Sequence, residues 1–321
     1  MTLSNTAWKP SAPPPVSDEV APERPRKSVR RGRWRNLIWV LPACLLLGAF
    51  AYLPLVQNLG FSFLKWDIYS GRQTFVGADN YVRMFHDPIF WKALVNNALY
   101  AVISIVFQVF GSLLLAALIE GLRSQRWRGI LRATYFVPSA ISLTVAGLLF
   151  YFIYEPEMGI LNAALDLVGL GNVTQSWLGQ ENTAIFAIIA MSQWQGFGYC
   201  TLLFSVALQR IPTELYEAAS IDGVGPVQRF FSISLPLVRE MTGLMMIVTV
   251  SGAFQVFNEV MVMTSGGPNN SSQVLGTWLY RNGFVRNDFG YAAAVATAVF
   301  VITLALAVIQ LRFSARRRVQ W

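Results

Sequence analysis

Charge is scarce along this chain of 321 residues: only 13% are Asp, Glu, Lys or Arg, while 54% are hydrophobic. Soluble globular domains carry roughly 25% charged residues, so the shortage excludes that class and points to a polytopic membrane protein. Histidine occurs once, at His86, and cysteine twice, at Cys44 and Cys200. The cysteines lie far apart inside apolar runs, so neither a disulfide framework nor a metal site is expected. Both read as small buried apolar residues. A single histidine, in a predicted loop beside Asp87, supplies no nucleophile–base pair and no ligand cluster, which argues against an intramembrane enzyme. No G-x-x-x-x-G-K-[ST] stretch is present, so nucleotide hydrolysis through a phosphate-binding loop is excluded for this polypeptide.

Apolar length is what the chain has in quantity. A hydrocarbon core of about 30 Å takes about 20 helical residues, and six runs of that order occur: about 37–61, 93–118, 133–154, 184–208, 242–264 and 291–311. The expected fold class is therefore an all-α membrane protein with six transmembrane helices. Gly252, Ala253 and the run Ala292 to Ala294 are small residues that let helices approach closely in lipid. The net charge of +8 sits at the ends of these runs rather than on one soluble face, so no nucleic-acid partner is expected.

Lys and Arg cluster on one side. The basic residues from Lys9 to Arg35, Arg123 to Arg132, Arg210, Arg229, Arg239, and Arg312 to Arg318 share it; Lys65, Arg72, Arg83, Lys92, Arg281 and Arg286 lie opposite. This asymmetry places both termini in the cytoplasm. Residues 1–35, rich in Pro, Ser and charge, are expected to form a disordered cytoplasmic tail, and 36–321 the membrane domain. Ala49-Phe50-Ala51 resembles a cleavage site, but the long polar tail before it and the apolar run beyond it argue against a removed signal peptide.

Between the fourth and fifth runs lies a short cytoplasmic loop, about 210–236. Pro212 ends the preceding span, Thr213 suits an N-cap, and Glu214 and Glu217 favour the first turn of a short helix ending near Ile221. Gly223 falls where a left-handed C-terminal residue belongs, and Pro226 suits the first turn of a second helix. The expected product is a compact helix-turn-helix.

Glu217-Ala218-Ala219-Ser220-Ile221-Asp222-Gly223, followed after nine residues by Ile233-Ser234-Leu235-Pro236, resembles the EAA loop of permease subunits of binding-protein-dependent ABC importers. The likeness extends over nearly the whole chain after the tail. Gly77-Ala78-Asp79-Asn80-Tyr81, Gln209-Arg210-Ile211-Pro212 and Thr264 through Ser272 are similar to the carbohydrate-uptake branch, of maltose and glycerol-phosphate type. The resemblance implies a six-helix bundle of the type I importer kind, with Glu217, Ala218, Ala219, Asp222, Gly223, Ile233, Leu235 and Pro236 forming the surface that couples to an ATPase. It also implies a second permease, two ATP-binding subunits that use ATP and Mg, and an extracytoplasmic solute-binding protein. No cofactor would be bound by this chain, and its place would be the cytoplasmic membrane of a bacterium, among membrane lipid.

Polar groups within spans are costly. Trp194, Gln195, Tyr199, Gln255, Asn258 and Glu259 therefore stand out as a solute path, amides and a carboxylate facing hydroxyls and aromatic rings facing CH patches. Gln255, Asn258 and Glu259 would share one helix face, with Glu259 near a solvated mouth. Taken singly, each is more readily read as an interhelical hydrogen-bonding group, since polar residues also join helices. Asn96, Asn97 and Gln108 read as packing contacts. The alternative function is an ion-coupled carrier or channel, which would need no docking helix and would show buried charged relays, sparse here.

Overall fold

The computed structural model describes residues 32–67 and 70–315. Its internal contacts define a first unit ending at Leu53 and a second from Pro54 onwards. In the first unit, α1 (Gly32–Leu47) continues through a wide turn at Gly48–Tyr52. Of the expected tail, residues 1–31 lie outside the described residues, while Gly32 to Arg35 already belong to α1, so the helix starts earlier than expected. Cys44 lies on the exposed surface, not buried as expected. Trp39, Leu45 and Phe50 are exposed with it, and such an apolar face is compatible with lipid rather than water.

α2 (Leu53–Phe61) completes a helical stretch, Trp39–Phe61, long and apolar enough to cross a membrane. A small antiparallel hairpin follows, β1 (Leu64–Trp66) paired with β2 (Gln73–Phe75), in the register Leu64 opposite Phe75. Next come α3 (Asp79–Phe85) and α4 (Pro88–Ser104); Asp87 caps α4 by accepting from the Ile89 N–H at 2.9 Å. A wide turn at Ile105–Gly111 leads into α5 (Ser112–Glu120), and Pro88–Glu120 is the second span.

The third apolar run does not form one straight helix. α6 (Gln125–Phe136) tightens into a turn at Val137–Ala140, Ile141 is extended, and Ser142 caps α7 (Leu143–Ile153). The two halves meet at 93°. Pro138 removes one backbone donor here, and the Ser142 hydroxyl restarts the helix in a new direction. Then α8 (Ile160–Leu167) leads to α9 (Ala184–Leu208), a helix of 25 residues whose bounds coincide with the expected fourth run. Gln193, Trp194 and Gln195 at its centre make it less apolar than the other spans. Among the described residues four helices are long and apolar enough to cross a membrane, five if the bent pair counts as one.

The chain continues through α10 (Thr213–Ile221), α11 (Pro226–Arg229), a wide turn at Phe230–Ser234 and α12 (Leu235–Leu237). α13 (Arg239–Phe254) and α14 (Asn258–Met263) make the next span, and they are separate helices. α15 (Leu275–Tyr280) and α16 (Phe289–Ala315) finish the described chain.

In the second unit α9 packs against α5 and α6, α7 against α14, and α13 against α4 and α16. One buried cluster gathers Phe90, Tyr100, Ile188, Phe254, Trp278 and Tyr291. Another, towards the α5 C-terminus, gathers Val109, Leu113, Phe204, Leu208 and Met245. Asp87 accepts from Trp278 Nε1 at 2.9 Å, whereas Glu120 at the end of α5 accepts from Arg132 Nη2 at 2.6 Å. These bonds mark opposite ends of the α4–α5 span.

Candidate functional site

At the α9 end of the bundle, α10 covers the expected short helix. Pro212, not Thr213, occupies the capping position, and no side chain caps the helix. Thr213 is already helical because Pro212, at φ −56° and ψ 133°, sets the entry angle. The other end is as expected. Gly223 has φ +73°, its N–H reaches the Ser220 carbonyl at 3.2 Å, and the Val224 N–H reaches Ala219 at 2.9 Å. This closes the helix C-terminus with a left-handed residue.

The eight signature residues divide into two groups. Glu217, Ala218, Asp222, Gly223 and Pro236 are exposed. Ala219 is buried, and Ile233 and Leu235 pack on the second core cluster together with Tyr216, whose hydroxyl lies 3.0 Å from Ser234 Oγ. The second group seats the loop on the bundle, and the first is the part free to touch another protein. Arg229 donates to Ser220 Oγ at 3.3 Å and lies 5.8 Å from the Tyr216 ring centre, so α10 and α11 are held in one piece.

The 93° bend rests on α9. Gln195 Nε2 donates to the Ile141 carbonyl at 3.0 Å, and the Tyr199 N–H donates to Ser139 Oγ at 2.9 Å. Gly198 lies so close to Tyr135 and Phe136 that a Cβ there would overlap the Tyr135 carbonyl oxygen. Gln195 thus satisfies a carbonyl that the break leaves without a helical partner. Trp194 and Tyr199 keep exposed faces, and the Trp194 ring packs on Phe150 at 5.1 Å. Ser139 and Gly198 were missed in the sequence; two glycines, Gly196 and Gly198, within an apolar run were the available sign of a close approach.

Gln255, Asn258 and Glu259 do not share one helical face. The chain leaves the helix at Gln255 and re-enters at Asn258, because Gln255 (φ −104°, ψ 6°) and Phe257 (φ −150°, ψ −57°) depart from helical geometry. Gln255 and Asn258 are exposed on either side of the break. Glu259 is not at a solvated mouth: it is 4% exposed and accepts from the Tyr100 hydroxyl at 2.9 Å.

One face of α4 holds this break in place. Asn97 Nδ2 donates to the Ala253 carbonyl at 2.6 Å, while its Oδ1 accepts from the Leu275 N–H at 2.8 Å. Asn96 donates to the carbonyls of Ser271 and Gln273, at 2.7 and 2.8 Å. Gln193 Nε2 reaches Ser104 Oγ at 3.0 Å. Asn96 and Asn97 are packing contacts as expected, and Gln108 lies against Gly196. His86 is exposed, with Nδ1 2.8 Å from the Val82 carbonyl.

Residues 108–319 match the family model described as binding-protein-dependent transport system inner membrane component. The chain is 48% identical over 276 residues to the probable ABC transporter permease protein YurN of Bacillus subtilis, covering 86% of this chain and 94% of the relative. It is 32% identical to the sulfoquinovosyl glycerol transport system permease protein SmoG of Agrobacterium fabrum, covering 87% and 92%. The sn-glycerol-3-phosphate transport system permease protein UgpA of Pectobacterium atrosepticum is 31% identical, covering 91% and 97%. The fold is similar to a chain of a bacterial ABC transporter involved in the import of the acidic polysaccharide alginate, with TM-score 0.77, 22% identity, and 89% and 96% of the two chains covered.

Proposed function

The chain belongs to the family of binding-protein-dependent transport system inner membrane components and is an ABC importer permease, and from that premise we propose that it carries a sugar or related polyol inward by alternating access. The observation that carries the coupling half of this reading is the exposed α10 turn. Glu217, Ala218, Asp222 and Gly223 project, together with the exposed Ile221, from a loop in which Ala219 is buried and Ile233 and Leu235 are packed on the bundle. A rigid, surface-projecting helix end suits transmission of motion from a separate subunit.

The chain has no phosphate-binding loop, so ATP and Mg belong to two nucleotide-binding subunits, one of which docks on this turn and the other on the second permease. A second permease, forming a heterodimer with this one, completes the pore, and an extracytoplasmic binding protein delivers the solute. Both termini face the cytoplasm, the membrane is the bacterial inner membrane, and α9 and the bent α6–α7 pair each count as a span, giving six. The relatives named for sulfoquinovosyl glycerol and for glycerol phosphate support a hydroxylated cargo.

The solute path runs past the α13–α14 break. Non-helical backbone at membrane depth is tolerated only in protein or along a cavity, and broken spans recur at transporter binding sites. Trp194, Tyr199, Gln255 and Asn258 present their exposed groups to the solute, while Gln195 and Glu259, each bonded within the protein, hold the path in shape.

Proteoliposomes holding both permeases and both ATPases, given the loaded binding protein, should accumulate labelled sugar or polyol only with ATP and Mg inside the ATPase compartment. Uptake by this chain under an ion gradient without the ATPase would overturn the reading. Gln255→Leu and Asn258→Leu should assemble normally yet weaken solute affinity at the membrane site about tenfold or more, from a lost hydrogen bond of roughly 1–3 kcal/mol. Unchanged transport by both variants would move the path to Trp194 and Tyr199 or to the partner permease.

A further inference from the structure

A cavity of about 240 Å³ opens between α14 and α15 and is lined by Met261, Ser265, Gln273, Thr277, Tyr280 and Arg281. Asn258 and Met261 lie three residues apart on α14, hence on one face, so the cavity continues the face that carries Asn258 past the break. It is smaller than drug-sized pockets, roughly 300–1,000 Å³, a size that suits one sugar ring or a shorter polyol.

The cation in this cavity differs from its neighbours. Arg83 is ion-paired with Asp288, and Arg286 lies 4.8 Å from the Trp278 ring centre and bonds Asn282 at 3.3 Å. Arg281 Nη1 donates to Asn270 Oδ1 at 2.8 Å, and among the described residues no carboxylate lies within ion-pair reach of it. No acidic residue lines the cavity. The neutral amide anchors one nitrogen and leaves the other guanidinium donors to a ligand. Behind them the floor is rigid: Gln273, 1% exposed, accepts from the Thr277 hydroxyl at 2.7 Å, and its own amide donates to Asn270 at 3.4 Å. The Tyr280 ring is fixed between Phe257 and Phe284, at 5.5 and 5.3 Å.

We infer that this cavity is an outer subsite for the anionic group of a hydroxylated solute, a phosphate, sulfonate or carboxylate carried on a polyol or sugar ring. A guanidinium held at one nitrogen presents paired donors to such an oxyanion, and the Ser265 and Tyr280 hydroxyls serve the neutral part. The inference rests on the importer reading for its placement along the path, and it narrows the cargo from any sugar or polyol to an anionic one.

The test is equilibrium binding to the assembled transporter in nanodiscs of phosphatidylcholine, without binding protein and without ATP, using glucose, glucose 6-phosphate and glucuronate as probes. At least one anionic probe should bind tenfold or more tightly than glucose. Arg281→Gln should abolish that preference without lowering the melting temperature, and Arg281→Lys should keep part of it. Equal binding of the three probes, or an anion preference that survives Arg281→Gln, overturns the inference. Replacing part of the lipid by phosphatidylglycerol tests the other source of the same chemistry. If that lipid raises the melting temperature through Arg281 while no soluble anion binds, the cavity holds a lipid headgroup and the solute subsite is wrong. The measurement needs neither uptake nor hydrolysis, so failed binding would leave the importer reading standing, and failed ATP-driven uptake would leave the binding result standing.

Discussion

Gly223 has φ +73° and open space where a Cβ would stand, so any cost of substitution there comes from the backbone conformation alone. Gly223→Val should cost about 1 kcal/mol or more in the turn and misplace the α10 end. Membrane insertion should persist while ATP-driven uptake falls, as measured in proteoliposomes of matched permease content; Gly223→Asn, tolerated in the left-handed region, should retain more uptake than Val. Gly198 poses the opposite case. It is helical, but a Cβ would run into the Tyr135 carbonyl, and a backbone oxygen cannot swing aside as a side chain can. Gly198→Ala should lower stability by roughly 1–3 kcal/mol, as overpacking does. Gly252, also within a span, has nothing within 4 Å of its would-be Cβ, so Gly252→Ala should leave the melting temperature equal or higher. A thermal melt of the two alanine variants in the same detergent checks the contrast, and equal losses would refute it.

α4 brings the α13–α14 break and the loop before α15 into register. Asn97 serves two backbone groups from different elements, the Ala253 carbonyl and the Leu275 N–H, both buried. Asn97→Leu would leave both without a partner, at roughly 1–3 kcal/mol for each buried group. The variant should melt well below wild type, and amide exchange at Leu275 should accelerate. Loss of stability without faster exchange there would mean that the asparagine acts through packing alone. The adjacent amides Asn96 and Asn97 were conspicuous in the sequence as polar residues in an apolar run, and their packing role followed from that cost. Their partners did not, because Ala253, Ser271, Gln273 and Leu275 lie more than 150 residues away in the chain.

Across the whole molecule, the Lys and Arg asymmetry predicts that the two ends of the bundle face different compartments. Ala218→Cys, exposed in α10, should be labelled by a membrane-impermeant thiol reagent only from the cytoplasmic side, and Asn269→Cys, exposed beyond α14, only from the other. These labels should be read in a background lacking Cys44, which is exposed itself. Labelling of both positions from one side would break the topology. Apolar length, capping residues and the loop motif determined a great deal by themselves: the membrane class, the bounds of α9, the short helix of the loop at 210–236 and the left-handed Gly223. They could do so because each depends on a local property, transfer of side chains to hydrocarbon, N-terminal and C-terminal capping, or the freedom of glycine. Only the tertiary structure decided where the spans break and what their polar residues do. A bend at Ile141 or a break at Gln255 is tolerable only if another helix supplies hydrogen bonds to the freed backbone groups. Gln195 and Asn97 supply them from elements that the sequence does not place beside the breaks. Glu259 is buried rather than solvated for the same reason, since it is Tyr100, on another helix, that satisfies its carboxylate.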